Sequence, residues 1–185
     1  MLHFNQSLGR KRGKSGFTLI ELLVAVSIIG ILAGIILVST GAARGRGRDL
    51  KRVSDLNQIK IALEKYHNDN SVYPVTAGWR SECNGYGGLA PTQVIPGLVP
   101  TYLSSFPSDP SMNKVNSTSC YLYYSNGVDY ALLDHIIQDS GFGGYASQPT
   151  LLDPARDSGV DPCKVEVTAV GFWSWKVATP GGMCW

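Results

Sequence analysis

Residues 14–38 read KSGFTLIELLVAVSIIGILAGIILV, and the rest of the chain is organised around this stretch. From Phe17 to Val38 the only charged residue is Glu21, and these 22 residues as a helix would be ~33 Å long. That is enough to cross a bilayer core of ~30 Å. A carboxylate in such a helix costs ~2.5 to 3.5 kcal/mol at the bilayer centre on insertion scales. Glu21 therefore calls for a partner, or for a place near the helix end within reach of water. Gly30 and Gly34 form a small-xxx-small pair on one face, which suits either close approach of another helix or simple spanning.

Upstream, MLHFNQSLGRKRGKSG, residues 1–16, is polar and basic and has no apolar core of its own, unlike an ordinary secretory signal. Arg10, Lys11, Arg12 and Lys14 precede the apolar run, and Arg44, Arg46, Arg48, Lys51 and Arg52 follow it, so basic flanks alone do not set its orientation. The cysteines break the tie. Cys83, Cys120, Cys163 and Cys184 lack the CxxC spacing of a zinc or redox site and read as two structural disulfides. Paired thiols persist outside the cytoplasm, which puts residues 1–16 inside and the C-terminal region outside. Four thiols allow three pairings; the sequence-local one joins Cys83 to Cys120 and Cys163 to Cys184, each bond adding ~3 kcal/mol.

Downstream, the glycines of GAARGRGR, residues 41–48, are expected to loosen or bend the helix. Periodicity then resumes: Val53, Leu56, Ile59, Leu63 and Tyr66 form one stripe, with Arg52, Lys60, Glu64 and Lys65 on other faces. Residues 39–67 thus continue the helix, and Asn68 to Ser71 with Pro74 end it. Residues 68–185 form a loop-rich head, holding most of the 21 glycines, 10 prolines and the aromatic residues. Within it CYLYY, an Asn-Gly turn and VDYALL predict two strands, and KVEVTAVGFWSWKV, residues 164–177, predicts a further strand region in which Trp173 and Trp175 pack a sheet. The fold class is α+β.

At 185 residues with a net charge of +2, the chain shows no overall balance that would attract a nucleic acid. His3, His67 and His135 are isolated, and no Ser/His/Asp or Cys/His constellation can be assembled, so no catalytic site is proposed.

The string KSGFTLIELL resembles the class III leader of type IV prepilins and pseudopilins: a basic leader ending in Gly16, an aromatic Phe17, and Glu21 five residues into an apolar helix. ALEKYHNDNSVYPV, residues 62–75, is similar to the helix end and following loop of the major pseudopilins of type II secretion. FPSDP at 106–110 and YLYYSNGVDYALL also look like that family. The chain departs from the pattern at Val38, where many members carry proline.

The resemblance implies a pilin-like fold and a structural, non-enzymatic filament subunit. It implies cleavage between Gly16 and Phe17 by a membrane-embedded prepilin peptidase, methylation of the new Phe17 amine, and storage in the cytoplasmic membrane before an assembly platform with its ATPase extracts the subunit. Its partners would be identical or related pilin subunits, and nucleic acid would enter only if the filament served DNA uptake. The Phe17 amine of a neighbouring subunit is the natural counter-charge for Glu21. A calcium-bound head is also implied, for which Asp153, Asp157 and Asp161 could supply oxygen ligands, although their spacing is not that of an EF-hand. No other cofactor is expected. The competing expectation is a membrane-tethered binding module that does not polymerise.

Overall fold

The computed structural model describes residues 16–137 and 174–185. The chain divides into two compact units, Met1–Thr40 and Gly41–Trp185.

Helix α1 runs from Leu19 to Asn70. It stays helical through Gly41, Gly45 and Gly47, so the expected loosening does not interrupt it. Each glycine costs only about 1 kcal/mol relative to alanine in a helix interior, which the good helix formers on either side offset. Its end is chemically marked. Ser71 adopts a left-handed conformation (φ 59°) and donates its amide to the His67 carbonyl at 2.7 Å, while Asn70 Nδ2 satisfies the Tyr66 carbonyl at 2.8 Å. These contacts serve carbonyls that a helix C-terminus leaves open, and Pro74 lies just beyond.

In the first unit every described side chain from Phe17 to Gly34 is exposed. Among the described residues no helix is long and apolar enough to cross a membrane. The run expected to span extends to Val38, and the side chains of 35–38 lie outside the described residues.

In the second unit Leu56, Ile59 and Leu63 are fully buried, and they pack with Tyr73, Ile95, Leu98, Phe106, Tyr121, Tyr123, Leu132 and Trp175 into the main core. Burying each such side chain contributes roughly 1.5–3 kcal/mol. The stripe read from the sequence is the core-facing stripe of α1. Arg52 departs from that reading, since it is completely buried.

A three-stranded antiparallel sheet faces the helix, with β1 (Cys120–Ser125), β2 (Tyr130–His135) and β3 (Trp175–Ala178) in that spatial order. Leu122 pairs with Leu133, and Tyr123 with Leu132. Alternation along the strands then sorts the faces: Tyr121, Tyr123 and Leu132 join the core under α1, whereas Cys120, Leu122 and Leu133 form a second cluster with Cys83, flanked by Trp79, Tyr86 and Met112. The β1–β2 turn uses Asn126, whose Oδ1 accepts from the amides of Val128 and Asp129, and Gly127 at φ 97°, a value that side chains disfavour. β3 begins at Trp175, which is fully buried; residues 164–173 of the expected strand region lie outside the described residues, Trp173 among them.

Between α1 and β1 the chain folds back on the sheet through Tyr73 N to Gly127 O (2.8 Å), Thr76 N to Ser125 O (3.0 Å) and a bridge between Arg80 and Tyr123. A short helix α2 (Pro91–Val94) then delivers Val94 to the core.

Candidate processing and assembly site

Gly16, Phe17 and Thr18 precede the helix and are exposed, Phe17 at 85%. The Gly16–Phe17 peptide therefore sits in exposed, non-helical chain. Thr18 occupies the residue before the first helical one. Its Oγ1 accepts from the Glu21 amide (3.3 Å), and its own amide donates to Glu21 Oε2 at 2.8 Å. A further bond runs from Thr18 Oγ1 to the same carboxylate oxygen at 2.7 Å. This is a reciprocal capping box spanning Thr18-Leu19-Ile20-Glu21, which satisfies amides that a helix start leaves open. It also places a carboxylate at the positive end of the helix dipole.

Glu21 thus has a partner within its own chain, which the sequence reading overlooked. The Thr-x-x-Glu spacing was the signal for it.

Beyond Glu21, Leu19, Ile20, Leu22, Leu23, Val24, Val26, Ile28, Ile29, Ile31 and Leu32 leave large apolar side chains uncovered on all sides of the helix. A helix apolar all round is stable only when lipid or other protein surrounds it. Gly30 and Gly34 lie four residues apart on one face, and nothing stands within 4 Å of where a Cβ would be at either.

The remaining candidates lie elsewhere. Cys83 and Cys120 are joined by a disulfide that closes a 37-residue separation. Cys184 is also disulfide-bonded, and Cys163, its expected partner, lies outside the described residues, as do Asp153, Asp157 and Asp161. Among the described residues no group of three or more His, Cys, Asp or Glu side chains could hold a metal ion.

The second unit is built around a charge cluster that periodicity alone did not reveal. Arg52 Nη1 pairs with Asp49 at 2.6 Å, its Nε and Nη2 fork onto the two oxygens of Asp109 at 2.5 and 3.2 Å, and its Nε lies 3.4 Å from Asp134 of β2. All four side chains are fully buried. Beside them Lys51 bridges Asp55 and the Ser108 carbonyl, and the Tyr121 hydroxyl donates to Asp55 at 2.9 Å. The FPSDP segment is therefore fastened to α1 by cations, and from its other side Ser108 donates to Glu82 at 2.6 Å. Arginine suits this place because its planar fork engages two carboxylate oxygens at once.

Residues 11–37 match the family described as the prokaryotic N-terminal methylation motif, which covers the capping box and the exposed apolar helix. Over 67 residues the chain is 39% identical to the type II secretion system core protein G of Aeromonas hydrophila, covering 36% of this chain and 47% of that one. The chain is similar, over its N-terminal part, to the pilin-like pseudopilin family. Such proteins are structural, non-enzymatic subunits. A second relative, the type II secretion system core protein G of Vibrio cholerae, is 39% identical over 67 residues, 36% of this chain and 46% of its own. The Escherichia coli protein of the same name matches over 100 residues at 31% identity, 51% of this chain and 65% of its own. The chain thus spans about half the length of most of these relatives. No solved structure matches.

Proposed function

We propose that this chain is made as a membrane-held precursor, cut after Gly16, methylated at Phe17 and polymerised through α1 into a filament of the type II secretion or type IV pilus kind. The observation that carries the reading is the apolar helix start, uncovered on every side and opening on Thr18 and Glu21 directly after an accessible Gly16–Phe17 peptide. Before assembly lipid covers that surface; in the filament neighbouring helices do, with Gly30 and Gly34 admitting one of them closely. The related core protein G sequences favour the secretion variant of the filament.

Cleavage frees an α-amine at Phe17, cationic around neutral pH with a reference pKa of ~7.7 to 8.0, and methylation keeps the charge. Glu21 in the precursor is held by Thr18; in the filament it takes the Phe17 amine of an adjacent subunit. The capping box keeps the carboxylate satisfied in the membrane, so insertion does not strand an unpaired charge.

Mass spectrometry of the protein from its own cells tests the processing step. The reading expects a chain beginning at methylated Phe17, and expects the Gly16→Leu precursor to remain uncut. A mature wild-type chain that still carries residues 1–16 would overturn it.

A further inference from the structure

One segment of the second unit has no part in assembly as described. Residues 113–118, Asn-Lys-Val-Asn-Ser-Thr, form a tight turn closed by an antiparallel bridge between Asn113 and Thr118, with reciprocal bonds at 2.9 and 3.3 Å. Asn113 Oδ1 accepts the Asn116 amide at 3.0 Å, which bends the chain back at the tip. Ser117 takes a left-handed conformation (φ 55°), and its hydroxyl accepts the Gly85 amide at 2.8 Å. The approach is close: a Cβ at Gly85 would stand 2.9 Å from that hydroxyl oxygen, so any larger residue would have to displace the Ser117 side chain. The Asn84 amide also holds the Lys114 carbonyl at 2.9 Å. The turn is therefore fastened to the segment following Cys83, while Val115, at 78% exposure, and Asn116 point to solvent.

Asn116-Ser117-Thr118 is an Asn-x-Thr sequon with no proline at its middle position. We propose that Asn116 is an acceptor for an N-linked glycan, added where the head meets a lipid-linked sugar donor outside the cytoplasm. The inference rests on the proposed outward placement of the head.

The geometry suits the chemistry. An asparagine amide is a poor nucleophile, and transfer requires it exposed, in a bent backbone, with a hydroxyl two residues on for the transferase to recognise. Asn116 is exposed, the left-handed Ser117 supplies the bend, and Thr118 supplies the hydroxyl. Ser117, the middle residue, spends its own hydroxyl on Gly85 and leaves the outer two for recognition. In the transfer, Asn116 Nδ2 attacks the anomeric carbon of the donor sugar. The N–C bond forms, the bond from that carbon to the lipid phosphate oxygen breaks, the lipid phosphate leaves with the electron pair, and the amide proton passes to a base of the transferase. The product is bulky and solubilising, and covers the exposed Val115.

The sequence contains an internal control. Asn5-Gln6-Ser7 is also a sequon, but it lies in the leader, which the proposed orientation keeps on the cytoplasmic side.

The test is peptide mapping of the full-length protein from its own cells, without reduction, for wild type, Asn116→Gln, Thr118→Ala and Thr118→Ser. The expected result is a mass added in sugar-sized steps to the peptide containing Asn116, lost in Asn116→Gln and Thr118→Ala, kept in Thr118→Ser, and absent at Asn5 in uncut precursor. An unmodified Asn116 peptide in wild type overturns the proposal. The state of Cys83 and Cys120 in the same digest separates the causes: an intact bond leaves outward placement standing while the glycan inference falls, whereas free thiols remove both.

Discussion

Thr18 and Glu21 hold each other. The Thr18 amide and hydroxyl both donate to Glu21 Oε2, and the Glu21 amide donates back to Thr18 Oγ1. The pair both starts α1 and satisfies the sole carboxylate of the apolar segment within its own chain. Its two functions separate by mutation. Thr18→Ala removes the hydroxyl bonds and the cap, worth about 1 kcal/mol, so amide exchange across the first turn of α1 in detergent should quicken roughly fivefold, and Thr18→Ser should restore the slow rate. Unchanged exchange in Thr18→Ala would mean that the box contributes nothing to the helix start.

Arg52 is the buried counterpart on the same helix. Removing it leaves Asp49, Asp109 and Asp134 without their shared cation, so Arg52→Met should cost about 3–5 kcal/mol in denaturant unfolding of the chain in detergent. Arg52→Lys should recover little, since an ammonium cannot span both oxygens of Asp109 as the guanidinium does. A loss below 1 kcal/mol in Arg52→Met would show that the cluster does not hold the 106–110 segment in place.

Four tyrosines of the core make the second unit sensitive to base. Burial, and then the Glu64 carboxylate that accepts its hydroxyl bond, push Tyr73 up to about 12; burial likewise raises Tyr121, Tyr123 and Tyr130 well above the ordinary range. The folded state therefore favours the neutral phenols. Their contribution is fully present below the unfolded tyrosine pKa of ~10 and is lost as pH rises through the folded values. The tyrosine contribution should be constant below that point, and stability should fall steadily from about pH 10 to 12, with tyrosinate absorbance appearing together with unfolding. Full ionisation of these tyrosines near pH 10 in a still-folded protein would contradict this.

Much of the architecture is legible before any coordinates. The stripe of Leu56, Ile59 and Leu63 specifies the buried face of α1, and Asn126-Gly127 between two aromatic-rich runs specifies the β1–β2 hairpin, because both signals are local. Periodicity places Arg52 off the apolar stripe but does not foretell its burial, because its partners are distant: Asp109 and Asp134 reach it only once the 106–110 segment and β2 have folded over the helix. Periodicity counts positions on one element and carries no information about what the rest of the chain brings to them. The capping box was missed for a different reason. Thr18 and Glu21 are local and readable, but the cost of a carboxylate in a membrane points toward a partner in another subunit.

The reading that α1 is an assembly helix rather than a tether is tested by filament yield from Glu21→Leu expressed as the only copy of the subunit. The substitution removes a charge from an apolar helix, so membrane insertion and leader removal should proceed as in wild type. Without the carboxylate that receives the neighbour's Phe17 amine, filaments should be scarce at normal subunit abundance. Wild-type filament yield from Glu21→Leu would contradict the ion-pair mechanism and leave the Gly30–Gly34 face and bulk helix packing to hold the subunits together.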